Sequence, residues 1–138
     1  MIKPPRQGST VGVQIVKKFD DIDDALAKAV EYDEELLVEK FVPGRELTIG
    51  ILGDLALPIL EIIPKGGFYD FNNKYPFLNP GAGGSAEHVC PAPISDEETR
   101  AVQDLALRAH RSLGLKVYSR VDIMLPEQGG PSVLELNT

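Results

Sequence analysis

Val117-Tyr118-Ser119-Arg120-Val121-Asp122-Ile123-Met124-Leu125, then Pro126 to Pro131, then Ser132-Val133-Leu134-Glu135-Leu136-Asn137-Thr138: this closing stretch decides the fold. It reads as two strands joined by a Gly/Pro-rich turn. On a strand, residues i and i+2 share a face. Arg120, Asp122 and Met124 therefore point one way, and Val121, Ile123 and Leu125 the other. On the second strand Glu135 and Asn137 oppose Leu134 and Leu136. If both apolar sets face a core, Arg120, Asp122, Glu135 and Asn137 converge on the opposite surface. Two carboxylates and an amide oxygen form a hard ligand set suited to Mg²⁺, which keeps positions open for water and phosphate oxygens. Spacing alone favours the plainer alternative, a solvated sheet face.

Working back from that hairpin, Ser95-Asp96-Glu97-Glu98 spells a capping box opening a helix. Val102, Leu105, Ala106 and Ala109 form its buried stripe, and Gly114 suits its stop. The lone His110 on this helix reads as structural. Leu47, Ile49 and Ile51 alternate as a strand, Gly53-Asp54 makes a turn, and Leu55 to Ile63 reads as the returning strand. A shorter strand covers Glu87 to Cys90, and another covers Leu36 to Val42. Near the start, Val11, Val13 and Ile15 alternate as a strand, and Asp20 to Asp33 reads as a helix burying Ile22, Leu26, Ala29 and Val30. Strands paired by tight turns with two separated helices indicate an α+β architecture on antiparallel sheet.

Composition narrows the function. The 138 residues carry 14 Lys+Arg against 21 Asp+Glu, a net charge of −7, which argues against binding a nucleic-acid backbone. Apolar residues make up 43%, too many for disorder, yet no run approaches the ~20 needed to span a bilayer. A single cysteine, Cys90, excludes an internal disulfide framework. A cytoplasmic protein with no membrane or nucleic-acid partner is the expectation. Both ends read as strands cut short, which suggests a piece of a longer protein.

Three further motifs bear on chemistry. Val38-Glu39-Lys40-Phe41-Val42 runs into Pro43-Gly44, and a strand broken there leaves backbone groups that a planar heterocycle can use. Glu46, just beyond, can accept from a ribose hydroxyl; an edge strand with a polar turn is the alternative. Gly8-Ser9-Thr10-Val11-Gly12 is small enough for backbone N–H groups to approach a phosphate, with Lys3 nearby as a point charge. It is neither a Walker A loop nor a dinucleotide fingerprint. Pro64 to roughly Ala86 is rich in Gly and Asn yet holds Phe68, Tyr69, Phe71, Lys74, Tyr75 and Phe77. So long an irregular loop with so many aromatics suggests a lid closing over a ligand, although Lys74 alone is indistinguishable from an ordinary exposed lysine.

Together these pieces resemble the ATP-grasp portion of the D-alanine–D-alanine ligase family. The resemblance rests on Lys3-Pro4, Gly8-Ser9-Thr10-Val11-Gly12, Val38-Glu39-Lys40-Phe41, Gly44-Arg45-Glu46-Leu47-Thr48-Ile49-Gly50-Ile51-Leu52-Gly53, Phe68-Tyr69-Asp70-Phe71 with Lys74-Tyr75, Tyr118-Ser119-Arg120-Val121-Asp122 and Leu134-Glu135-Leu136-Asn137-Thr138. These motifs follow one another in order over nearly the whole chain.

The resemblance implies an ATP-grasp fold, antiparallel sheets with packed helices in two lobes, residues 1–45 in the small central lobe and 46–138 in the large one. It implies ATP held by Lys3 and Lys40 at the phosphates and by Glu39 and the backbone around Phe41 and Val42 at the adenine edge, with Phe68 and Met124 also among the cofactor-binding residues. Glu46 would take the ribose, and Asp122, Glu135 and Asn137 would hold two Mg²⁺ (or Mn²⁺). Lys74 would serve the γ-phosphate and Arg120 the oxyanion of the tetrahedral intermediate, while Ser9 and Tyr75 would orient substrate. The implied reaction phosphorylates one D-alanine and condenses it with a second, yielding ADP, phosphate and D-Ala-D-Ala for peptidoglycan, in an enzyme expected to be a homodimer. The family's amino-terminal domain and the segment beyond Thr138 are not in the sequence, so the chain alone is expected to be inactive. Pro76 to His88 is longer and richer in glycine than the family pattern, which leaves the second substrate open. A D-alanine–D-lactate enzyme and a non-catalytic nucleotide-binding module remain the alternatives.

Overall fold

The computed structural model describes residues 1–8, 10–64 and 86–138. They form two compact units, Met1–Phe41 and Val42–Pro64 with Ala86–Thr138. Val42 to Arg45 group with the second unit.

In the first unit β1 (Ile2–Lys3) pairs antiparallel with β2 (Leu37–Val38), placing Ile2 opposite Val38 and Lys3 opposite Leu37. A 3₁₀ turn, Phe19–Asp21, leads into α1 (Ile22–Ala29), whose first turn carries Asp23 and Asp24 where the helix dipole favours negative charge. Ala25 and Ala29 pack with buried Ile2, flanked by Val16, Ile22, Leu26 and Leu36. The helix is shorter than its apolar spacing predicts, and Val30, expected inside, caps it half-exposed. The strand expected over Val11 to Ile15 does not form. Thr10 and Gly12 adopt left-handed φ values of 63° and 73°, so the chain turns instead, and only Gln14 bridges to Ile2. Gly12 has no alternative: a Cβ there would lie 2.7 Å from Pro4 Cγ and 2.8 Å from Tyr32 Cδ2.

The second unit is one antiparallel sheet of six strands. They are β3 (Arg45–Leu52), β4 (Leu55–Ala56), β5 (Leu60–Pro64), β6 (Ala86–Val89), β7 (Tyr118–Leu125) and β8 (Ser132–Asn137), ordered β6-β5-β3-β7-β8 with β4 on the end of β3. The strand expected over Leu55 to Ile63 is thus two. Pro58 cannot donate to a ladder, and the Leu57 N–H returns to the Gly50 carbonyl at 2.9 Å. Helix α2 (Asp96–Ser112) opens with the expected box: Ser95 Oγ accepts from Glu98 N–H at 3.2 Å, and Glu98 Oε2 accepts from Ser95 N–H at 2.8 Å. Its Val102 and Ala106 pack with Leu47, Ile49, Ile51, Val121, Ile123 and Leu125 from one face of the sheet, with Leu105 and Ala109 at the edge.

Period-2 alternation does the rest. With Leu47, Ile49 and Ile51 turned to the helix, Glu46, Thr48 and Gly50 stand on the opposite face. Arg45 closes the β3–β5 end of the sheet. Its Nε and Nη2 each donate to a Glu61 carboxylate oxygen at 2.6 Å, and Nη1 donates to the Pro93 carbonyl at 3.0 Å. Those bonds to Glu61 raise the guanidinium pKa above its ordinary value.

Candidate functional site

The ladder register assembles the site on the helix-free face of that sheet. Glu46 lies opposite Met124, Thr48 opposite Asp122, and Gly50 opposite Arg120 across β3 and β7. Asp122 lies opposite Glu135, and Arg120 opposite Asn137, across β7 and β8. Between Asp122 and Ile123 the pairing slips: Ile123 faces Val133, and Leu134 is left as an extra residue. This bulge lets Val133 and Leu136 take the core side while Glu135 and Asn137 stay with Asp122. Leu134, expected on the core side, is instead exposed at the bulge.

Asp122 is the centre of the cluster, its side chain only 13% exposed. Thr48 Oγ1 donates to Asp122 Oδ1 at 2.6 Å. Arg120 spans both oxygens, Nε to Oδ1 at 3.0 Å and Nη2 to Oδ2 at 2.9 Å, a charge-assisted fork. Asn137 Nδ2 donates to Asp122 Oδ2 at 3.3 Å and to Glu135 Oε1 at 3.2 Å, so the amide bridges the two carboxylates. Two carboxylates and one guanidinium leave the cluster at −1, with capacity for a cation. A half-turn of the Asn137 amide exchanges its nitrogen and oxygen, making the set all-oxygen. The donor chemistry therefore fits a hard divalent cation, whereas no group of three or more His, Cys, Asp or Glu is placed to hold a metal among the described residues.

Thr48 is not singled out by sequence. Its alternation with Glu46 signals the shared face, but its partner lies 74 residues away and only the register reveals it.

The remaining candidates divide by unit. In the first, Lys3 and Glu39, read as contacts to different parts of one ligand, form an ion pair with each other. Met1 and Glu39 exchange backbone bonds beside that pair. Lys40 is exposed and Phe41 is 44% exposed. In the second, Val42 and Glu46 are half-buried at the start of the sheet. Ser9, Phe68, Lys74 and Tyr75 lie outside the described residues, as does all but the two ends of the expected lid. His110 is structural as expected: it is buried, with Nδ1 2.7 Å from Ser119 Oγ on β7. Among the described residues no helix is long and apolar enough to cross a membrane.

Comparison with known proteins places this geometry. The family model described as D-ala D-ala ligase C-terminus matches residues 1–138. A D-alanine–D-alanine ligase from Methylacidiphilum infernorum is 46% identical over 138 residues, covering 100% of this chain and 44% of that protein. Among solved structures, a D-Ala:D-Ser ligase from Enterococcus faecalis superposes with a TM-score of 0.82 at 31% identity, covering 99% of this chain and 39% of the other. A D-alanine–D-alanine ligase from Bacillus anthracis complexed with ATP gives 0.76 at 28% identity, covering 99% and 40%. The chain thus spans less than half the length of the curated relatives it matches. With the family model matching end to end over an α+β arrangement of antiparallel sheets, the chain belongs to the D-alanine–D-alanine ligase C-terminal family and has the ATP-grasp fold.

Proposed function

We propose that this chain is the ATP-binding portion of a ligase that joins two D-alanines into D-Ala-D-Ala in the cytoplasm for peptidoglycan synthesis. The single observation carrying this reading is the convergence of Asp122, Glu135 and Asn137 beside Arg120 on one sheet face. In this reading the γ-phosphate passes from ATP to the carboxylate of one D-alanine. The amine of the second attacks the acylphosphate carbonyl, the C–N bond forms, and phosphate leaves. Such a transfer depends on positioning and charge neutralisation, since little covalent chemistry falls to the protein.

The roles are those that the family resemblance implies. Asp122, Glu135 and Asn137 hold two Mg²⁺ or Mn²⁺, which when bound neutralise phosphate oxygens. Arg120, on the same strand as Asp122, holds the developing oxyanion. Glu46 accepts from the ribose, and Met124, opposite it on the same sheet face, also contacts ATP. Lys3 and Lys40 serve the phosphates and Glu39, Phe41 and Val42 the adenine, with residues 1–45 in the small central lobe and 46–138 in the large one. Ser9, Phe68, Lys74 and Tyr75 keep their assigned parts in this reading, with Lys74 at the γ-phosphate and Ser9 and Tyr75 at the substrate. The intact enzyme is proposed to be a homodimer.

A second reading concerns the second substrate alone. The likeness to a D-Ala:D-Ser ligase favours keeping other D-configured acceptors open. One experiment covers both. The full-length protein containing this chain is incubated with ATP, Mg²⁺ and D-alanine, alone or with D-serine or D-lactate, and products are identified by mass. D-Ala-D-Ala with ADP and phosphate is the expected result, lost when Asp122→Asn and Glu135→Gln are combined, and absent with the 138-residue chain alone. Mg·ATP binding without phosphoryl transfer in the full-length protein would overturn the ligase reading in favour of a nucleotide-binding module.

A further inference from the structure

Asp122 has one partner that a cation has no need to displace. Arg120 and Asn137 reach it from β7 and from the edge strand β8, and the Arg120 side chain is 55% exposed. Thr48 differs. It sits mid-strand on β3, laddered to Leu60 on one side and Asp122 on the other, in the interior of the sheet. A β-branched side chain on a strand has few χ1 states, so this hydroxyl is fixed in direction by the sheet itself. At 2.6 Å it occupies Oδ1 of Asp122, which turns Oδ2 toward Glu135 and Asn137.

We propose that Thr48 is a positioning residue for the candidate metal carboxylate: its hydroxyl locks the Asp122 side chain through Oδ1 and thereby presents Oδ2 to the divalent cation. The proposal rests on the reading of Asp122, Glu135 and Asn137 as the cation site. Outer partners of this kind orient ligands before the ion arrives, and their loss typically weakens metal binding about 10-fold or more.

The test is Mn²⁺ titration of the full chain, followed by the electron-spin resonance of the free ion, on wild type, Asp122→Asn, Thr48→Val and Thr48→Ser. Val keeps the branched shape and loses the hydroxyl; Ser keeps the hydroxyl. Expected are strong loss in Asp122→Asn, about 10-fold weaker binding in Thr48→Val, and near-wild-type binding in Thr48→Ser. If wild type and Asp122→Asn bind alike, the cation site itself is wrong and the proposal falls with it. If Asp122→Asn loses binding while Thr48→Val matches wild type, the site stands and the positioning role alone is overturned. Thr48→Ser as weak as Thr48→Val also overturns it, because the hydroxyl would then not be the active feature. Should Thr48→Val lose the wild-type far-UV spectrum, Thr48→Ala replaces it. Unfolding of both would make Thr48 a folding residue and refute the proposal.

Discussion

Gly44 offers the sharpest check on how the sheet is built. It precedes β3, and a Cβ placed on it would meet the Leu125 carbonyl oxygen at 2.4 Å, with Leu125 C and Pro126 Cα at 2.8 Å. All three are backbone atoms at the end of β7, so no side-chain rotation relieves the overlap. Restoring an ordinary contact near 3.4 Å requires the chain to move by about 1 Å where β3 and β7 first pair. Overpacking of this kind costs about 1–3 kcal/mol, and rigid backbone puts Gly44→Ala toward the upper end. The lost freedom of the unfolded chain returns about 0.5 kcal/mol. The net is about 2 kcal/mol, or a melting point lower by roughly 8 °C at about 4 °C per kcal/mol for this size. Gly50→Ala is the control. Its Cβ would meet Leu57 Cδ1 at 3.0 Å, the far end of a flexible side chain, so stability should stay within about 0.5 kcal/mol of wild type. Thermal and urea unfolding followed by circular dichroism read both. Equal melting of Gly44→Ala and wild type, or equal losses in the two variants, would refute the steric reasoning.

Two further outcomes follow from α2. The Ser95 N–H and hydroxyl bond the Glu98 carboxylate and hold its pKa below the usual 4.5. The depressed folded value means that this stabilisation is full above pH 4.5 and is lost as the pH falls through the folded pKa. The melting difference between wild type and Glu98→Gln should therefore shrink as the pH drops below 4.5, and a constant difference would contradict the assignment. Ser119→Ala strips the partner from buried His110 Nδ1, whose Nε2 has none among the described residues, and should cost about 1–3 kcal/mol in urea unfolding. Unchanged stability would show that the pair contributes nothing.

Local signals were legible where short-range physics decides. The capping box at Ser95 and Glu98 needs only four residues to form. The acidic face of the closing hairpin needs only strand alternation, which is why the sequence groups Asp122, Glu135 and Asn137. Where distant contacts decide, the pattern misleads. Val11, Val13 and Ile15 alternate like a strand, yet Gly12 is pressed between Pro4 and Tyr32 and the chain turns. Leu55 to Ile63 is apolar enough for one strand, and there the overriding signal is local: Pro58 splits it. The Thr48 to Asp122 bond joins strands whose register no local pattern encodes. Lys3 and Glu39 pair across two strands that are distant in sequence, so no local pattern encodes their ion pair.

The slip at Leu134 carries a consequence for anyone altering this terminus. Val133 and Leu136 lie three residues apart yet oppose Ile123 and Val121, two apart on β7, because one residue of β8 is left over. Deleting Leu134 would remove that surplus residue and leave Val133, Glu135, Leu136 and Asn137 opposite their present β7 partners. Loss of Leu136, by contrast, would turn Asn137 to the core side, so the strand can be shortened at one position and not at the next.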